Sequence, residues 1–380
     1  MIYDGGDRHT MANRSEGAKT RTKEELRERR IRQARRERAR RRRRARAVRR
    51  AIGRTILVLF TVIILAVVAV FGAATVLAYG PSGTLSDWLV MSTLESSAAK
   101  FVGYIYFSDE EVEAIKARNS VQEDESAVDP SLVVIAPPAD NGEQENAGAQ
   151  EAEKDIEIVP VTGPTYNGYM MIVKDPSRVS VGISNNLGNQ AGMRLAEIAE
   201  KYGAVGAVNA GGFVDTNGMG DGGSPIGPVI SQGEVVWRRG GGDNKLVIGM
   251  TNDDKLVFGV MSAATAYENG IRDCVTFGPA LVKNGEAVDV SGSGSGLNPR
   301  TAIGQRSDGA MLLLVINGRK VNSLGASYAD LIEVMLDFGA VNAANLDGGT
   351  SSFMYYEGEL VNDKASLYGT RKLPTAWIVK

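Results

Sequence analysis

Leu331–Gly349 reads LIEVMLDFGAVNAANLDGG, and the order of signals within it decides the fold class. Apolar residues fall on one stripe at helical spacing up to Phe338. Gly339 then supplies the residue favoured at a left-handed helix cap. A short apolar strand follows and ends at Asn345, just ahead of Asp347-Gly348-Gly349. The same succession occurs 136 residues earlier. Leu195–Asn209 reads LAEIAEKYGAVGAVN, matches at seven of fifteen positions, stops at Gly203, and runs into Ala210-Gly211-Gly212. A second pair repeats in the same order. Gly227-Pro228 leads through apolar residues to Gln232-Gly233, and Gly278-Pro279 leads to Asn284-Gly285. Each predicts strand, tight turn and strand. The expected fold is therefore mixed α/β of the α+β kind, with sheets flanked by helices and an internal pseudo-repeat. Strand ends from both halves are expected to meet at one site.

Outward from this core, apolar alternation from Gly168 onward marks a folded domain, placed at 161–380. Residues 121–160 are rich in Glu, Asp, Ala, Pro and Asn. That composition predicts a disordered acidic linker. Residues 80–120 read as a helical stalk, with Ser108 and Glu111 spaced as a capping box. Ile56–Tyr79, ILVLFTVIILAVVAVFGAATVLAY, carries no charge. As a helix it reaches roughly 36 Å, enough for a bilayer core of about 30 Å. It is also longer than the ~7–15-residue apolar region of a cleaved signal peptide. Residues 55–79 are thus expected to be a single transmembrane helix.

Charge is segregated about that helix. Residues 1–54 hold 21 Lys/Arg and 7 Asp/Glu, leaving 22 and 38 of the chain's 43 and 45 for the remainder. The basic arm predicts a cytoplasmic N-terminus and an extracellular C-terminal domain at the cell membrane. Its densest part, Glu24–Arg50, has no interleaved aromatic residues to stack on bases, which speaks against a nucleic-acid partner. We read it as a solvated determinant of topology.

The chemistry left to the outer domain is narrow. The only histidine, His9, lies in the arm, and the only cysteine is Cys274. Serine–histidine and cysteine–histidine catalysis and ordinary zinc sites therefore lack their residues. No cofactor is required by the sequence, and an oxygen-ligated Ca²⁺ or Mg²⁺ remains open. Among the acids, Asp347 stands out: it lies at a strand end beside two glycines that let a ligand approach the backbone. A capped turn uses the same residues. Arg300, in Asn298-Pro-Arg-Thr-Ala-Ile-Gly304, opens an apolar strand, and its planar fork suits phosphate; a lone arginine at a strand start also serves as an exposed charge.

The ordered set Asn209-Ala-Gly-Gly-Phe213, Gly227-Pro228, Phe277-Gly-Pro279, Pro299-Arg-Thr-Ala-Ile-Gly304, Asn317-Gly-Arg319, Asn345-Leu-Asp-Gly-Gly349, Ser351-Ser352 and Arg371 resembles the phosphodiester glycosidase family. That family includes an enzyme that removes N-acetylglucosamine from a phosphodiester. Ala210, Val214, Thr350 and Asn317 depart from the usual family pattern, and Thr350 adds a side chain where a third glycine is usual. The resemblance implies an extracytoplasmic hydrolase that frees a sugar from a sugar-1-phosphodiester, with a sugar-phosphate or cell-envelope glycan as substrate. It implies Asp347, Arg300 and Asn209 as catalytic residues. It also implies substrate contacts from Asn345, Gly348, Gly349, Ser351, Ser352, Gly211, Gly212, Phe213, Gly278 and Arg371. A non-catalytic binder of phosphate-bearing polysaccharide and a metal-dependent phosphodiesterase cutting P–O are the competing readings.

Overall fold

The computed structural model describes residues 8–96, 99–122, 127–135, 155–215, 220–238, 245–362 and 369–380, with side chains from Leu26 onward. The chain forms two compact units, Met1–Ala74 and Thr75–Lys380. Helix α1 (Arg8–Tyr79) contains both the basic arm and the apolar run. By length and composition it is able to cross a membrane.

In the second unit every strand pairing among the described residues is antiparallel. A seven-stranded sheet has the order β1 (Ile156–Thr162), β2 (Asn167–Val173), β13 (Met311–Ile316), β12 (Arg300–Arg306), β14 (Ala340–Asn345), β10 (Ala280–Lys283) and β11 (Glu286–Ala287). A five-stranded sheet runs β16 (Glu359–Leu360), β15 (Met354–Tyr356), β4 (Gly206–Asn209), β17 (Thr375–Val379) and β3 (Val179–Ile183). The third sheet runs β6 (Glu234–Trp237), β5 (Val229–Ser231), β9 (Ile271–Thr276), β7 (Lys245–Thr251) and β8 (Leu256–Met261). The class is the mixed helix-and-sheet one that the sequence predicts.

Central strand β13 explains why its sequence, MLLLVI, shows no alternation. Met311, Leu313 and Val315 face one core, while Leu312, Leu314 and Ile316 face another. A strand buried on both faces reads as a continuous apolar run. Helix α7 (Tyr328–Asp337) covers the second core with Leu331, Ile332, Val334 and Met335. Helix α5 (Leu195–Tyr202) covers the five-stranded sheet with Leu195, Ile198 and Ala199. The short helix α6 (Ala263–Glu268) packs beside β9, where buried Ala266 meets Ile271 and Cys274.

The two halves of the pseudo-repeat enter different sheets. Helix α5 ends at Gly203 (φ 62°) and feeds β4, while α7 ends before Gly339 (φ 81°) and feeds β14. Both predicted hairpin turns form, with φ of 53° and 83° at Gln232-Gly233 and 55° and 83° at Asn284-Gly285. Positive φ at both central residues is the type I′ geometry that matches strand twist.

The segment ahead of the sheets is integral to this unit. Helices α2 (Gly83–Leu94), α3 (Lys100–Tyr106) and α4 (Asp109–Arg118) enclose Val90, Met91, Val112 and Ile115. Ser108 and Glu111 form the predicted capping box. The helices lie on the loop 291–298. Leu297 N–H donates to Ser92 Oγ at 2.8 Å, and a Cβ at Gly296 would sit 2.1 Å from Ser92 N. Only glycine permits that approach.

Of the stretch expected as linker, 123–126 and 136–154 lie outside the described residues. Residues 127–135 are laid along the sheets: Val128 joins the main core, and Val134 N–H donates to Ser307 O at 2.8 Å. Strand β1 begins at Ile156, ahead of the expected domain start at 161.

Candidate active site

The ends of β4 and β14 meet through backbone and amide bonds. Asp347 N–H donates to Ala210 O at 3.0 Å, and Asn209 Nδ2 donates to Asp347 O at 2.5 Å. Asn209 Oδ1 accepts from Thr301 Oγ1 at 2.7 Å and from Phe353 N–H at 3.2 Å. Buried and so engaged, Asn209 fixes the Asp347 backbone. Asn345 donates through Nδ2 to Gly278 O at 2.7 Å.

Asp347 Oδ1 accepts from Gly348 N–H at 3.0 Å. Its Oδ2 is out of solvent contact and has no hydrogen-bond partner, and Asn345 Oδ1 and Ser352 Oγ share that state. Orphaned buried polar atoms are costly, so three within one short motif mark a place built to meet something polar. Burial pushes the Asp347 carboxyl up to about 6. The Ser351 hydroxyl, Arg371 and the Gly348 N–H pull against that rise, and the negative charge of Asp215 adds to it.

Arg371 is the cation that acts on Asp347. Its NH2 pairs with Asp215 Oδ1 at 2.6 Å, and its NH1 donates to Thr350 Oγ1 at 3.3 Å. Its guanidinium carbon lies 4.8 Å from the centroid of the Phe213 ring. Thr350, the departure in the glycine motif, thus touches the site's arginine. Asp215 also accepts from Gly220 N–H at 2.7 Å. The sequence reading named Phe213 and Arg371 but missed Asp215, although it stands only two residues beyond the Asn209–Phe213 motif.

Arg300 lies on the other side of the glycines. It is buried and stacks on Tyr328, 4.4 Å from the ring centroid. Its Nε donates to Ala326 O, and its NH2 donates to Ser295 Oγ, Gly296 O and, at 2.6 Å, Glu95 Oε2. Asn298 Nδ2 donates to the same carboxylate oxygen at 2.8 Å. Glu95, just beyond α2, therefore engages the guanidinium fork that the sequence reading offered to phosphate. Arg319 lies beside the glycine step: a Cβ at Gly349 would be 3.3 Å from its NH2.

Gly348 and Gly349 sit between these two groups. A Cβ at Gly348 would lie 2.9 Å from Pro299 O, and Gly349 adopts φ 64°. Gly211 N–H donates to Thr375 Oγ1, and a Cβ at Gly212 would strike Phe277 at 2.7 Å. These glycines let β4, β9 and β14 close on one another. Among the described residues no group of three His, Cys, Asp or Glu side chains is gathered to hold a metal ion. Cys274 is buried, and burial pushes its thiol up to about 12, far from thiolate chemistry.

Residues 202–380 match the family model described as phosphodiester glycosidase. They form a phosphodiester glycosidase domain. Three relatives place it further. The chain is 38% identical over 107 residues to the SPbeta prophage-derived uncharacterized protein YomE of Bacillus subtilis, covering 27% of this chain and 17% of that one. It is 25% identical over 248 residues to the mouse N-acetylglucosamine-1-phosphodiester alpha-N-acetylglucosaminidase, covering 60% and 46%. The chain thus spans less than half the length of these curated relatives. The catalytic domain of the zebrafish enzyme of that name, described as auto-inhibited by its pro-peptide, shares the fold. The TM-score is 0.51 at 22% identity, over 60% of this chain and 85% of that one. The glycosidase domain carries Asp347, Asp215, Arg371 and Phe213 in one cluster, whereas Glu95 reaches Arg300 from outside the matched residues.

Proposed function

We propose that the chain is a membrane-anchored hydrolase whose outer domain cleaves the anomeric carbon–oxygen bond of a sugar-1-phosphodiester. The products are a free sugar and a phosphomonoester. One observation carries the reading: Asp347, a buried carboxyl with an unpartnered oxygen, stands at the junction of both half-repeats with Arg371 beside it. Glycosidases acting on alcohol leaving groups need a second carboxyl to protonate the departing oxygen. A phosphomonoester leaves more readily because its second pKa is about 6, so one carboxylate suffices as base or nucleophile. Arg371 stabilises the charge growing on the departing phosphate. Asp215 holds Arg371 in place, and Asn209 holds Asp347. Asn345, Ser351, Ser352 and the backbone of Gly348 and Gly349 take sugar and phosphate oxygens. Arg300, tied to Glu95, steadies the adjoining Pro299, whose carbonyl accepts from Gly349 N–H at 2.8 Å.

In this reading α1 anchors the domain, with the basic arm in the cytoplasm and the site facing cell-envelope glycans. The assay uses the full chain in detergent with a synthetic N-acetylglucosamine-1-phosphodiester. Free N-acetylglucosamine is the expected product. N-acetylglucosamine-1-phosphate would show P–O cleavage instead, and tight binding without turnover would make the domain a binder. Repeating the assay in chelator tests for a divalent ion.

A further inference from the structure

Helix α3, KFVGYIY, buries its glycine and exposes its large residues. Gly103 packs against α2, with Thr93 Oγ1 3.5 Å from the position of a Cβ. Phe101, Tyr104 and Ile105 are 64%, 47% and 52% exposed. Their spacing of three and four places them on one stripe. Such a stripe in a soluble domain lacks a partner, and here the chain itself indicates one. The last turn of α1 belongs to the same compact unit as α3. The ring of Tyr79, which ends α1, lies 6.2 Å from that of Tyr106 and 5.9 Å from that of Phe107. The Tyr79 hydroxyl donates to Tyr106 O.

An apolar run of about 36 Å exceeds a ~30 Å hydrocarbon core, so its last residue reaches the headgroup layer, where tyrosines gather. Seven helical residues extend about 10 Å. Every residue of α3 therefore lies within a short reach of the level at which the span leaves the bilayer. Exposed Lys100 at the start of the helix has the stem and charge to reach lipid phosphates. We propose that the Phe101–Tyr104–Ile105 face of α3 lies in the headgroup layer of the membrane that α1 crosses, as a second membrane contact that fixes how the domain stands on the surface. This rests on the anchor reading above.

The test uses the full chain in lipid vesicles, with a spin label placed on single cysteines. Cys274 is buried and is replaced by alanine. Labels go at Phe101→Cys and Ile105→Cys. Val260→Cys is the matched control, since Val260 is apolar and 61% exposed on β8. Val62→Cys reports the span. Collisions with oxygen, which partitions into lipid, are compared with those of a water-soluble nickel chelate. Expected is a severalfold excess of oxygen over nickel collisions at 101 and 105, relative to 260. Equal ratios at 101, 105 and 260 overturn the proposal while leaving the anchor intact, provided Val62 reports lipid. A water-exposed Val62 overturns the anchor and this inference together. Dipolar broadening between labels at 101, persisting as the protein is diluted in lipid, would show a second copy on this face and overturn it as well.

Discussion

Moving the Asp347 carboxyl from 3.8 to about 6 has consequences for both rate and stability. As base or nucleophile it must be ionised, so kcat/KM falls about tenfold per unit below pH 6 and levels off above it. A flat profile between pH 4.5 and 7.5 would remove Asp347 from that role. The stability sign runs the other way. The folded state holds the extra proton between pH 3.8 and 6, so the stabilising contribution is complete below 3.8 and lost as pH rises through 6. Above pH 7 the buried charge costs about 3 kcal/mol. Asp347→Asn keeps the acceptor for Gly348 N–H and removes the charge. In urea denaturation it should gain about 1–3 kcal/mol at pH 8 and nothing at pH 4, while turnover drops by three orders of magnitude or more. Equal effects at the two pH values would show that the raised carboxyl is not the cause. Asp347 was legible because glycines beside an acid at a strand end are visible in the chain. Asp215 was not, because its role depends on its contacts with Gly220 N–H and with Arg371, the latter more than a hundred residues away.

At the scale of elements, the helix–glycine–strand units and the type I′ hairpins were readable because each follows from local spacing and turn chemistry. Their placement in two different sheets was not, since pairing partners are set by long-range packing. The α2–α4 segment shows the same limit. Its capping box is local and was found, whereas the bond from Arg300 to Glu95 spans 205 residues and leaves no local trace. That bond gives the buried Arg300 guanidinium its counter-charge from a carboxylate that itself keeps contact with solvent. Glu95→Ala leaves the guanidinium buried with carbonyl and hydroxyl partners only, and should cost about 3 kcal/mol, as removing one member of a buried pair does. Glu95→Gln keeps the acceptor for Asn298 and should cost less. Thermal melts of the two variants check the order; equal melts for Glu95→Ala and the parent would mean that the pair contributes no net stability.

The whole molecule brings these local facts to bear on where the domain begins. The matched family region starts at residue 202, and composition sets the start near 161. Contacts set it much earlier. Val128 is part of the main core, Val133 is 1% exposed, and Asp129 N–H donates to Asn284 Oδ1 at 2.7 Å, across the β10–β11 turn. Loop 291–298 is shaped around α2, with Gly296 against Ser92. A chain begun at Asp155 loses all of these at once. It removes the two valines, whose burial contributes roughly 1.5 kcal/mol each, uncovers the core surface they pack against, and leaves Arg300 without its carboxylate. Together these exceed about 5 kcal/mol, which for a domain of this size lowers Tm by at least 10 °C. A chain begun at Thr75 keeps every one of these contacts and should melt with the full-length protein. The comparison is two melts in the same detergent, each followed by turnover of the diester. Identical melts would mean that residues 75–154 rest on the domain without stabilising it. A large drop with loss of turnover would show that the proposed site is completed by the segment ahead of β1.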